Sequence, residues 1–87
     1  MRSIYKYEVL ITDRFALRLP VGAEVLSFQV QDERPVVWVM LNHNDRVHEL
    51  RNFIIIGTGN VFDETKLGRF IGTIQIHAFV WHLFEER

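Results

Sequence analysis

The sequence predicts an all-β protein: a single domain over residues 1–87, folded as a small antiparallel sandwich or barrel of about seven strands, with helix content near zero. Three observations carry that expectation. Apolar and polar side chains alternate with period two along several segments, most cleanly in Val25–Gln31. Turn chemistry recurs roughly every ten residues, as in Pro20-Val21-Gly22, Asp32-Glu33-Arg34-Pro35 and Gly57-Thr58-Gly59. Composition supplies the dense core that a short chain needs, with 48% hydrophobic residues, seven Phe, two Trp and two Tyr.

The first strand is read over Ser3–Thr12, with Tyr5, Tyr7, Val9 and Ile11 on one face. Asp13-Arg14 is a polar break, and Phe15, Leu17 and Leu19 resume the alternation, so strands one and two are expected to form a hairpin. After the Pro20–Ala23 turn, Leu26, Phe28 and Val30 are expected inward, with Ser27, Gln29 and Gln31 outward. Val36–Leu41 is apolar on both faces, which calls for cover from a second sheet or from a neighbouring subunit. Asn42–Arg46 is an exposed polar loop.

Extended structure resumes from Val47 to Ile56 and runs into Gly57-Thr58-Gly59-Asn60, a buried strand delivering a loop to an edge. The Asn60–Gly68 stretch reads as a long loop with one helical turn at most. In the next strand Phe70, Gly72, Ile74 and Ile76 share a face, and the strand over Phe79–Phe84 carries large residues on both faces. The chain closes in solvated charge, Glu85-Glu86-Arg87.

Composition also excludes whole classes. A net charge of −1 makes no positive field of the kind that holds nucleic acid by its phosphates. The absence of cysteine removes disulfides, thiolate metal sites and a cysteine nucleophile. Met1–Tyr7 lacks an apolar stretch of signal-peptide length and no segment approaches the roughly 20 apolar residues of a membrane span, so a cytoplasmic protein is expected.

The blocks Ile4-Tyr5-Lys6-Tyr7-Glu8, Leu19-Pro20, Gly22-Ala23-Glu24, Gln29-Val30-Gln31, Gly57-Thr58-Gly59, Arg69-Phe70-Ile71-Gly72-Thr73-Ile74-Gln75 and Trp81-His82-Leu83-Phe84-Glu85 resemble a family of small proteins encoded by bacteriophages and prophages. The resemblance spans nearly the whole chain and implies a domain of unknown function, with no catalytic residue to carry over. This chain has Asn60 where the family usually has His after Gly-Thr-Gly, and His77-Ala78 where the family has a Gly-rich link. Asn60 can hydrogen-bond in place of a His but cannot titrate.

Candidate sites follow from residue type. Gly57, Thr58, Gly59 and Asn60 offer backbone N–H groups and polar side chains for an anion, or form only a strand-end turn. Arg69 would add a guanidinium to that loop, and would lie near Arg51 if the fifth and sixth strands pair; a surface ion pair with Asp63 or Glu64 is the plainer account. Trp81, with Trp38, Phe79 and Phe84, would form a stacking platform or simply fill core and interface. His43, His48, His77 and His82 have no spacing that assembles three metal ligands; His82 reads instead as a partly buried sheet residue with a hydrogen-bonded ring nitrogen. Neither Ser3 nor Ser27 has a base fixed beside it, so no catalytic residues, metal or cofactor are assigned.

The functional expectation is a non-enzymatic phage or prophage accessory binding protein, acting as a homo-oligomer on a host or antiviral-defence protein. One alternative is an oligomer that sequesters a small anionic, nucleotide-like ligand at Gly57–Asn60, Arg69 and Trp81. Another is a minor virion component. A large exposed apolar patch would favour the first, and a concave, positively biased cavity at the loop the second.

Overall fold

Seven strands form in a computed structural model that describes residues 1–87, the first ending at Glu8 and so short of the Thr12 expected for it. They are β1 (Ser3–Glu8), β2 (Arg14–Pro20), β3 (Glu24–Gln31), β4 (Arg34–Leu41), β5 (His48–Gly57), β6 (Leu67–Ile76) and β7 (Phe79–Glu86). All pairings are antiparallel, in a three-stranded sheet of order β1-β4-β3 and a four-stranded sheet of order β2-β5-β7-β6. The sheets pack face to face and do not close into a barrel, so the sandwich is the form realised. The only helical element is the 3₁₀ turn Glu64–Lys66.

The expected hairpin of strands one and two does not form. β1 pairs with β4 and β2 with β5. Residues 9–13 carry the chain between the sheets: Val9 N–H still donates to Pro35 O, and Ile55 N–H donates to Asp13 O. Asp13-Arg14 has the composition of a tight turn, yet the apolar run ahead of it buries Val9 in the core. Burial across the gap therefore outweighs a local reversal.

Genuine two-residue turns join β3 to β4 and β6 to β7. Asp32 and Glu33 both have positive φ, 52° and 63°, the conformation that matches the twist of paired strands. His77, at φ 55°, opens the second turn. A Gly-rich link at that position removes the strain of a side chain in this region.

Two bulges alter which residues face inward. Between Val25 and Ser27 one extra residue shifts the β3–β4 register, so the buried pair is Val25 and Phe28, whereas Val30 is 39% exposed. Register breaks between Leu67 and Gly72 separate Phe70 from the face it was expected to share with Ile74. Phe70 is 52% exposed and Ile71 is buried instead.

The core joins Leu19, Phe53, Ile55, Ile71, Ile74 and Leu83 of the larger sheet to Val25, Phe28, Val37, Val39 and Leu41 of the smaller. Phe53 stacks on Phe15 with centroids 5.2 Å apart. At the open side β3 and β6 approach so closely that a Cβ on Gly72 would lie 3.2 Å from both the Phe28 Cβ and its carbonyl oxygen. β4 needs cover on both faces, as its composition requires, and the second sheet covers only the inner one. Trp38 and Met40 are half-buried on the outer face beside Ile4 and Lys6, whereas Val36 on that same face is only 1% exposed. No helix is long and apolar enough to cross a membrane.

Candidate functional site

β5 runs through buried Phe53, Ile55 and Ile56 into Gly57, which faces Trp81 across the ladder with β7. The chain then turns: Asn60 N–H donates to Gly57 O at 3.0 Å, and Gly59 takes φ 89°, which a side chain would strain. Thr58 N–H donates to Val80 O at 3.1 Å. Two of the three amides from Thr58 to Asn60 are thus satisfied within the protein, leaving Gly59 N–H to point elsewhere.

The turn and the β6–β7 hairpin enclose an open cavity of about 440 Å³, lined by Gly57, Thr58, Asn60, Phe79, Val80 and Trp81 among others. Trp81 packs against the core, while Phe79, two residues before it on the same face of β7, is 64% exposed. Their rings stack with centroids 6.0 Å apart and an interplanar angle of 20°. No charged side chain lines the cavity.

The structure therefore brings Gly57, Thr58, Asn60 and Trp81 together and leaves Arg69 out. β5 pairs with β2 and β7, not with β6, so Arg51 and Arg69 are not strand neighbours. Arg69 sits near the start of β6, opposite the Glu85 end of β7, roughly 13 Å along the sheet from Trp81 at about 3.3 Å per residue. The other proposed platform members also disperse. Phe84 lies on the opposite face of β7, edge-on to Phe70 at 5.3 Å, and Trp38 belongs to the other sheet.

His82 has more partners than the sequence suggests. Nε2 lies 2.7 Å from Thr58 Oγ1, and Nδ1 lies 2.9 Å from Thr73 Oγ1. Each hydroxyl can donate or accept, so the ring is held in either tautomer and clasps the turn to β6. Thr73 could not be found from spacing, because its register with His82 depends on the bulge before Gly72. Of the remaining histidines, His43 bonds Ser3, His48 bonds the Arg46 carbonyl, and His77 occupies the β6–β7 turn.

A second concavity, of about 290 Å³, opens on the outer face of the larger sheet beneath the β5–β6 crossover. Ile54, Ile56, Phe62 and Leu67 form its apolar part, with Arg14 and Lys66 at its rim. Arg14 Nε donates to Glu86 at 2.8 Å. The crossover is anchored by Asp63, whose carboxylate accepts from Thr65 N–H at 3.0 Å and from Thr65 Oγ1 at 2.7 Å. These bonds hold the Asp63 carboxyl below its ordinary value of 3.8. A depressed acid stabilises the fold above the unfolded value, and that contribution is lost as pH falls through the folded value. The Thr65 amide proton shift should accordingly titrate with a midpoint below 3.8 in an NMR pH series, and a midpoint at or above 3.8 would contradict the cap.

A family model described as a domain of unknown function (DUF7352) matches residues 1–87. No curated protein and no solved structure matches the chain.

Proposed function

The chain belongs to the DUF7352 family of unknown function, and from that premise we propose that it is a non-enzymatic binding protein that holds a protein partner on the outer face of its four-stranded sheet. One observation carries this reading. Ile54, Phe84 and Phe70 form a row across β5, β7 and β6 on a face that no further sheet covers and that the β5–β6 crossover overhangs at its Ile54 end, bringing Phe62 beside it; Phe70 and Phe62 are 52% and 51% exposed. Large exposed aromatics gathered on one rigid face are the usual anchors of protein interfaces. In the phage setting that the sequence resemblance suggests, the partner is a host or antiviral-defence protein, or a second copy of this chain within a homo-oligomer.

The anionic-ligand alternative has less support. Its loop cavity is concave, but no Lys or Arg lines it, and the Thr58 and Asn60 amides are satisfied within the protein.

The test places a benzoylphenylalanine photo-crosslinker at position 70 or, as a control, at exposed Gln29 on β3 of the other sheet. Position 70 is expected to yield one discrete crosslinked species in host cells, whose mass separates a foreign partner from a second copy. That species should disappear when Phe62→Asp is introduced. Equal crosslinking from both positions, or none from position 70, would refute the assignment of this face.

A further inference from the structure

We propose that the cavity between the Gly57–Asn60 turn and the β6–β7 hairpin binds an uncharged planar heterocycle of the nucleobase kind. The site lies on the side of β7 opposite the Phe84 row, so this inference and the protein-binding reading can fail separately.

Shape is the first argument. Phe79 and Trp81 stack nearly parallel and present aromatic surface to a cavity of about 440 Å³, large enough for a base and part of its sugar. Stacking on such a surface is tolerant of base identity, because every base offers a π-face.

Room is the second. A Cβ at residue 57 would stand 2.9 Å from Asn60 Nδ2 and 3.0 Å from the Trp81 ring. Only glycine lets the amide and the indole close on the same strand end. A strand-end turn alone does not require that convergence.

Hydrogen-bonding capacity is the third. The Asn60 side chain makes no hydrogen bond within the protein, so its donor and acceptor are free together beside the ring surface. A side-chain amide pairs in two-point fashion with a heterocycle edge that carries an adjacent donor and acceptor, as adenine does. Gly59 N–H is a further free donor. The absence of any charged lining residue sets the ligand class: a phosphate at this position would gain nothing.

The experiment uses full-length protein carrying Trp38→Phe, which leaves Trp81 as the sole indole, and follows its fluorescence. Adenosine should quench saturably, adenosine 5′-monophosphate should bind no more tightly, and purine riboside, which lacks the exocyclic amino donor, should bind about tenfold more weakly. Asn60→Leu, at an exposed position, should weaken adenosine about tenfold while leaving the thermal melt unchanged. Gly57→Ala should abolish quenching. Absence of saturable quenching by adenosine would overturn the site. Equal binding of purine riboside with no effect of Asn60→Leu would reduce it to non-specific aromatic contact. Markedly tighter binding of the monophosphate would refute the uncharged assignment and favour an anionic ligand.

Discussion

Replacing Phe53 by alanine is expected to lower the unfolding free energy by about 3–5 kcal/mol, the range for truncating a fully enclosed Phe. The ring is wholly buried on β5, which lies between β2 and β7 in the larger sheet, and it stacks on Phe15 across the β2–β5 ladder. Truncation removes the ring's own burial and leaves Phe15 with a void on one face. Against a total of about 5–15 kcal/mol for an ordinary domain, that loss brings the protein close to unfolding. Urea titration followed by Trp fluorescence would measure it. Phe53→Leu keeps most of the volume and should cost no more than about 1.5 kcal/mol. Phe70→Ala, on the open outer face, should cost about 0.5 kcal/mol or less. A Phe53→Ala loss below about 1 kcal/mol, or a Phe70→Ala loss as large as that of Phe53→Ala, would place the centre of the core elsewhere.

The contrast between these two phenylalanines marks where the sequence is legible. Alternation, or for β4 and the end of β5 an unbroken apolar run, locates every strand, because each side chain's face depends on its immediate neighbours. It identifies Phe53 as part of a buried run. It misplaces Phe70, since a bulge inverts the faces of everything beyond it, and Gly68 and Gly72 allow such a bulge without fixing which residue between them is the extra one. Pairing is harder still. Asp13-Arg14 resembles a hairpin turn locally, and only the burial of Val9 in the core between the sheets shows that the chain is changing layers. The candidate site divides along the same line. Gly57, Thr58 and Asn60 are neighbours in sequence and stay together, and Trp81 joins them through cross-strand pairing. Arg69 was attached through a pairing of β5 with β6 that does not exist. His82, Thr73 and Glu85 acquire their partners from strand register, which spacing does not encode.

The Arg51–Glu85 pair follows from that register, and it supplies the second large effect. Arg51 Nε and Nη2 donate to the two Glu85 carboxylate oxygens at 2.7 and 2.8 Å, while Nη1 donates to the carbonyl of Ala23. One guanidinium thereby ties β5, β7 and the β2–β3 turn together at one end of the sandwich. The side chains are only 17% and 21% exposed, so neither charge is well hydrated if the other is removed. Arg51→Ala is expected to cost about 2 kcal/mol, below the 3–5 kcal/mol of a fully enclosed pair because some solvent reaches both groups. The hydrogen bond to Glu85 raises the Arg51 pKa. A base with a raised folded pKa contributes its stability below the unfolded value and loses it as pH rises through the folded one, so the Arg51 contribution is constant across the neutral range. Arg51→Met with Glu85→Leu removes both charges at once, and that double variant should recover most of the loss. In a double-mutant cycle by urea denaturation the coupling is expected at about 1–2 kcal/mol. Additive single losses, with coupling under about 0.5 kcal/mol, would show that the pair is held by the surrounding fold without stabilising it.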